Sequence, residues 1–225
     1  MIYRHKSTTS TMMEATALAA QGAPHGTAVI AEVQSAGIGR HGHSWHSEDR
    51  GGLYLSIVLR IAGAVPGLTL ALGLAVREAV DEVAGVASDL RWPNDVMLNE
   101  RKLAGILVRA ADDALIAGIG LNVNQEAFPD DLRETATSLR IETGQTWDIE
   151  TLLQRTLTLS LHYTQLTLAE IRRRFEECSS YARGKAVDVE GITGITAGLD
   201  SNGFLLVQTP SGIRTITAGG VRPAR

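Results

Sequence analysis

The chain has 225 residues, a mass of 24.0 kDa, 44% hydrophobic and 20% charged residues, and a formal net charge of -4. At ~150 residues per domain this is about one and a half domains, long enough to bury a real core and too apolar for a disordered chain. The acidic balance disfavours bulk attraction to nucleic acid or anionic membranes, and Cys178, the single cysteine, excludes an internal disulfide.

Met1 to Lys6 lacks the apolar run of a signal peptide. The apolar uncharged stretch between Arg60 and Arg77 has 16 residues and contains Pro66, short of the roughly 20 apolar residues of a membrane-spanning helix. A cytoplasmic location is therefore expected. Met12 to Gln21 reads as a helix capped by Ser10 or Thr11 and stopped by Gly22-Ala23-Pro24. Thr27 to Ala31 reads as a buried strand, and Gln34 to Gly52 as a long polar loop of the kind that carries function. Leu53 to Leu59 is a second strand, and Leu70 to Val83 has the spacing of a core helix. Strands are expected at Asp89–Trp92, Lys102–Arg109 and Ala114–Asn122, and an irregular stretch from Phe128 to Gly144. A helical region runs from Asp148 towards Cys178, with Leu152, Leu153, Leu157 and Leu161 on one face. Arg172, Arg173 and Arg174 read as a solvated face of it, and Trp147 as a packing staple before it. After Tyr181 short strands alternate with glycine-rich turns, which predicts a small all-β barrel of about 40 residues.

Gly37-Ile38-Gly39-Arg40-His41-Gly42 matches the G-x-G-x-x-G dinucleotide fingerprint by letter, but no helix begins there and no acid follows at the ribose position. What remains is a backbone that can approach a ligand closely, with Arg40 beside it, suited to a phosphate or carboxylate. His41, His43 and His46 share the loop. Without a rigid element or a cysteine they read as a solvated loop and not as a zinc site.

Two further motifs are Arg91-Trp92-Pro93-Asn94-Asp95 with Lys102-Leu103-Ala104-Gly105-Ile106-Leu107, and Gly118-Ile119-Gly120-Leu121-Asn122-Val123-Asn124. Together with Ser10-Thr11-Met12 and Gln34-Ser35-Ala36-Gly37, they resemble the biotin protein ligases in order and spacing, across nearly the whole chain. The family patterns are S-T-N or S-T-M, Q-x-A-G-R-G-R-x-G, K-W-P-N-D, K-x-x-G-I-L and G-I-G-x-N-V-N. The resemblance implies an α+β fold related to class II aminoacyl-tRNA synthetases. A mixed sheet with helices on one side would occupy residues 1–179, and an SH3-like barrel residues 180–225. It implies ATP with Mg, biotin as substrate, formation of biotinyl-5'-adenylate, and transfer to a lysine of a biotin carboxyl carrier domain.

On that resemblance Arg40 grips the biotin carboxylate and the α-phosphate, and Lys102 contacts the biotin carbonyl and the phosphate. Lys102 is one of only three Lys against 18 Arg, which fits a need for a compact ammonium. Ser10, Thr11, Met12 and Gln34 line the biotin site, with Gly37, Ile38, Gly39, Gly105 and Gly118 as close-approach positions. Asn122 contacts adenine, and Trp45 either packs on the nucleotide or anchors the loop. Asn94 and Asp95 orient Mg or the incoming lysine, with Asp95 as proton acceptor; a purely structural turn after Pro93 is the alternative. No metal ligand is assigned beyond that Asp95 contact.

Three positions depart from the patterns: Ile38 and Arg91 stand where the family has Arg and Lys, and Met12 where Asn is commoner. The chain starts at the ligase core with no helix-turn-helix before Tyr3, so no DNA partner is expected. The sequence leaves a homodimer open. Competing readings are a lipoate-type acyl-adenylate ligase and a non-catalytic biotin- or adenylate-binding module.

Overall fold

The computed structural model of the chain describes residues 1–47, 51–61 and 65–224. Residues 48–50 of the predicted polar loop lie outside that range. Seven strands form one mixed sheet: β1 (Ile2–Thr8), β2 (Ala28–Gln34), β3 (Gly52–Leu59), β4 (Asp89–Arg91), β5 (Asp95–Leu98), β6 (Arg101–Ala111) and β7 (Ala114–Asn122). Their order is β1-β2-β3-β7-β6-β5-β4. Only β1 and β2 are parallel, and α1 (Thr11–Ala20) supplies the crossover that a parallel pair requires. The other neighbours are antiparallel.

The two-residue period of the strands sorts their side chains onto two unlike faces. On β3, Leu53, Leu55, Ile57 and Leu59 join a core built with α2 (Val65–Ala84) and α4 (Ile149–Tyr163). Val58 points the other way, into a smaller cluster with Val29, Ile116, Ala15 and Ala19 beneath α1. The helices therefore flank both sides of the sheet, and the expected one-sided arrangement is corrected. The reason is local: α1 is bound to the second face by the parallel crossover, but it covers only part of it.

Four further differences have physical causes. The N-terminal segment is a strand, although its burial shows no alternation, because it is an edge held by β2. The turn at Trp92–Asn94, with a cis Trp92–Pro93 peptide, ends one strand and starts β5, which sequence reading passed over. The stretch expected to be irregular holds a short helix, α3 (Leu139–Thr143), capped by Ser138 and ended by Gly144 in the left-handed region. The long helical region is broken in two. Thr167 and Glu170 form a reciprocal capping box that starts α5 (Leu168–Cys178).

Strands β8 (Arg183–Val189), β9 (Ile192–Leu199), β10 (Leu205–Thr209), β11 (Gly212–Ile216) and β12 (Arg222–Pro223) form an antiparallel sheet in the order β11-β10-β9-β8-β12. Val187, Val189, Leu199, Leu205 and Val207 belong to the same hydrophobic core as the helices. Trp92 Nε1 donates to Gly203 O at 3.0 Å, and Arg172 donates to Leu199 O at 2.8 Å. Arg172 is thus a tie to the C-terminal sheet, and Arg174 stacks over Tyr163, so of the predicted solvated arginine face only Arg173 is exposed. No helix among the described residues is long and apolar enough to cross a membrane.

Candidate active site

The part of the sheet that α1 leaves uncovered is a cleft of about 670 Å³. Its floor is glycine. Gly105 on β6 pairs with Gly120 on β7, and a Cβ on Gly120 would lie 2.3 Å from Trp45 Cε2 and 2.6 Å from its Nε1. A Cβ on Gly105 would come within 2.8 Å of the same indole. The Trp45 ring lies on a platform that exists because both residues lack side chains. Gly118 likewise admits Met12, whose Sδ would be 2.8 Å from a Cβ there.

A bulge positions Lys102. Val96 pairs with Ala104 and Met97 with Lys102, so Leu103 is an extra residue in β6. Residues three apart on a regular strand point to opposite faces. The extra residue brings Lys102 to the face of Gly105, where a Cβ would lie 3.1 Å from Lys102 Nζ. The Lys102 main chain is clamped as well: its N–H donates to Thr135 O at 2.7 Å and its carbonyl accepts from Thr137 N at 2.9 Å.

Two cations of the cleft, Arg40 and Lys102, are held by consecutive residues. Arg40 Nη1 donates to Asn94 Oδ1 at 2.6 Å, and Lys102 Nζ lies 2.7 Å from Asp95 Oδ1. Lys102 Nζ also stands 5.4 Å from the centre of a Trp45 ring. Burial lowers the Arg40 pKa, while the carboxylates of Asp95 and Glu190 act in the opposite direction. A guanidinium remains charged under such influences.

At the other end of the cleft Ser10 is buried before α1, and its Oγ has no hydrogen-bond partner. A buried hydroxyl in that state is costly unless a ligand or water meets it. Gln34, by contrast, is committed to the protein: its Oε1 accepts from Thr11 N at 2.8 Å and Thr11 Oγ1 at 3.1 Å, and its Nε2 donates to Ser47 Oγ at 3.0 Å. Thr11 Oγ1 also meets Ser56 Oγ at 2.8 Å.

The loop folds back on itself through a bridge between Ile38 and Ser44, a tight turn at Arg40–Gly42 and a left-handed His41. This brings Ile38, Gly39, Arg40, His41 and His43 to the cleft wall. Gly37 does not line the cleft. Its carbonyl accepts from Trp45 N, and a Cβ there would sit 2.6 Å from Ser47 Oγ, so it closes the loop. Asn122 faces an adjoining cavity of about 350 Å³ that also touches Trp45, Asp95, Lys102, Phe128, Leu132 and Ala136. Its amide donates to Thr137 O at 3.0 Å. Trp45, Lys102 and Asp95 line both chambers, at the join between them. Trp45 Nε1 is buried without a partner.

Of the predicted site residues, all but Gly37 and Asn122 line the main cleft. Sequence reasoning missed Ser56, Gly120, and a wall from the C-terminal sheet comprising Glu190, Gly219, Gly220 and Arg222. Gly120 had a signal in its own glycine motif; the C-terminal wall had none, because it arrives by docking. Among the described residues no group of three His, Cys, Asp or Glu can hold a metal. Asp95 is already matched by Lys102, so the residues do not fit a resident Mg site and no step is routed through one.

The profile of the Biotin/lipoate A/B protein ligase family matches residues 1–125, and that of the Biotin protein ligase C terminal domain residues 183–221. The bifunctional ligase/repressor BirA of Bacillus subtilis is 35% identical, over 98% of this chain and 73% of its own. The biotin–acetyl-CoA-carboxylase ligase of Mycobacterium tuberculosis is 33% identical, over 95% of this chain and 85% of its own. The structure of a biotin protein ligase from Aquifex aeolicus in complex with biotin and ATP superposes with a TM-score of 0.89 at 34% identity, covering 98% of this chain and 97% of that one.

Proposed function

Because the chain belongs to the biotin/lipoate A/B protein ligase family, we propose that it activates biotin with ATP and passes the biotinyl group to a lysine of a biotin carboxyl carrier domain. The observation that carries this reading is the anchoring of Arg40 and Lys102 by neighbouring residues, Asn94 and Asp95, in one cleft with glycine floors. Two anions, a carboxylate and a triphosphate, repel each other in water; fixed cations of this kind offset that repulsion before reaction begins.

In the first step a biotin carboxylate oxygen attacks the α-phosphorus of ATP. The new O–P bond forms the mixed anhydride biotinyl-5'-adenylate as the α–β phosphoanhydride bond breaks and pyrophosphate departs. Arg40 and Lys102 neutralise the charge that builds on the phosphorus oxygens. In the second step the carrier amine attacks the biotinyl carbonyl carbon, an amide forms, and AMP leaves. The amine must shed a proton, and Asp95 is the carboxylate placed to accept it.

The ring end of biotin fits the chamber of Met12, Ile38, Leu107 and Gly118, with Ser10 Oγ free to meet its ureido group. The adenine fits the adjoining chamber of Asn122, Phe128, Leu132 and Ala136, with Trp45 at the join. Residues 1–179 are the catalytic core in this reading, and residues 180–225 supply a wall of the cleft. The carrier domain as partner and a cytoplasmic setting belong to the same proposal.

Biotin-dependent exchange between ATP and labelled pyrophosphate, followed by transfer to a carrier domain, tests it. Exchange with biotin is the expected result. Exchange with lipoate alone, or tight biotin binding without exchange, would overturn the reading.

A further inference from the structure

The C-terminal sheet does more than wall the cleft. Strands β8 and β9 are joined by a two-residue turn, Glu190–Gly191, with φ of 53° and 81°, the left-handed pair of a tight hairpin. The turn directs the Glu190 side chain along Gly219. A Cβ on Gly219 would meet Glu190 Cγ at 2.6 Å and Oε1 at 3.0 Å, so this glycine is what admits the carboxylate. The carbonyl of the same Gly219 accepts from Arg40 Nη1 at 3.3 Å. Arg40 is therefore held from two sides, by Asn94 from the core and by the Gly219 carbonyl from the C-terminal sheet, and Glu190 adds its charge from the same cleft wall.

These partners differ in what an incoming anion does to them. Asn94 and the Gly219 carbonyl are neutral and can share the guanidinium with a phosphate oxygen. Asp95 is matched by Lys102. Glu190 is the carboxylate on the C-terminal wall, and its charge opposes an anion arriving at Arg40. Resting on the ligase reading above, we propose that Glu190 is a positioning residue whose charge acts at Arg40 across Gly219 and sets how tightly the triphosphate is held. A lowered affinity for ATP is matched by a lowered affinity for departing pyrophosphate, so the exposed carboxylate speeds clearance of the cleft.

The test is ATP–pyrophosphate exchange with the full chain as wild type, Glu190→Gln and Glu190→Asp, at several ionic strengths. Glu190→Gln should lower the KM for ATP about threefold at low salt, with kcat little changed, as expected for loss of one partly screened repulsion. The difference should close at high salt, where the Debye length falls to about 3 Å. Glu190→Asp keeps the charge, suits a left-handed φ, and should track the wild type. In an Arg40→Gln background, ATP affinity measured by calorimetry should no longer respond to Glu190→Gln. An unchanged or raised KM in Glu190→Gln, the same change in Glu190→Asp, or a salt-independent effect would overturn the proposal and leave the ligase reading intact. Absence of exchange in the wild type would overturn both.

Discussion

The two faces of the seven-stranded sheet are built from the same strands and obey opposite rules. On the helix-covered face β3 and β7 contribute Leu53, Leu55, Ile57, Ala117, Ile119 and Leu121, each at most 2% exposed. A fully buried side chain of this size contributes ~1.5–3 kcal/mol. On the cleft face the same two strands and β6 offer Ser56, Gly118, Gly120 and Gly105, which add little stability and leave room. That face also keeps Ser10 Oγ and Trp45 Nε1 unpartnered at the wall of the cleft, where a ligand can meet them. The difference teaches that one face specifies the fold and the other is held open by it.

Substitutions can break or sharpen that division. The largest effect on the cleft side is expected from Lys102→Ala, which should depress the exchange rate by about 10²–10³, the usual cost of removing a preorganised donor, while the thermal midpoint stays near wild type. Near-normal exchange would remove Lys102 from its assigned role. The mirror image is Leu72→Ala on the core-facing side of α2. Leu72 is fully buried in the helix-side core, so denaturant unfolding should show a loss of ~2–5 kcal/mol, with the exchange rate per folded molecule unchanged. A direct loss of activity there would mean that the faces are not separable.

Gly120→Ala is a smaller change on the cleft face. Its methyl cannot coexist with the Trp45 indole in place, and a loop side chain can move at modest cost. The KM for ATP should rise about tenfold with stability changed by ~1 kcal/mol or less. An unmoved KM would leave Trp45 as a loop anchor only. The smallest effect is a pH signature on the helix side. Burial, and then a hydrogen bond donated to Glu78, raise the Tyr163 phenol from its ordinary value to about 12. The folded chain thus keeps this proton where the unfolded chain loses it. The contribution is complete below pH ~10 and is lost as the pH climbs from there through about 12. Tyr163→Phe should flatten the fall in stability across that alkaline window; an unaltered profile would show that other groups govern it.

Much of the helix-side face is legible in the sequence, because burial on both sides of β3 writes itself as an unbroken apolar run and the helices carry caps. Segment β1 is not legible, since its burial follows no period and only its parallel partner makes it a strand. The T-L-A-E start of α5 was readable, but continuous helix formers before it masked the break at Thr164. In the cleft, Arg40 and Lys102 stand inside motifs whose spacing reveals them. The commitment of Gln34 to Thr11 is invisible locally, because both partners belong to elements 23 residues apart. Glu190 lies still farther away, and only the shared core under both sheets brings it to Arg40.

The extra residue at Leu103 makes the site sensitive to counting as well as to chemistry. The same three-residue spacing run as a regular strand, without the bulge, would turn the ammonium through the sheet, into the apolar core, without altering a single functional side chain. Insertions in the hairpin loops on either side carry no such penalty, because the strand beyond them keeps its own parity. The spacing in K-x-x-G is therefore itself a ligand-positioning element.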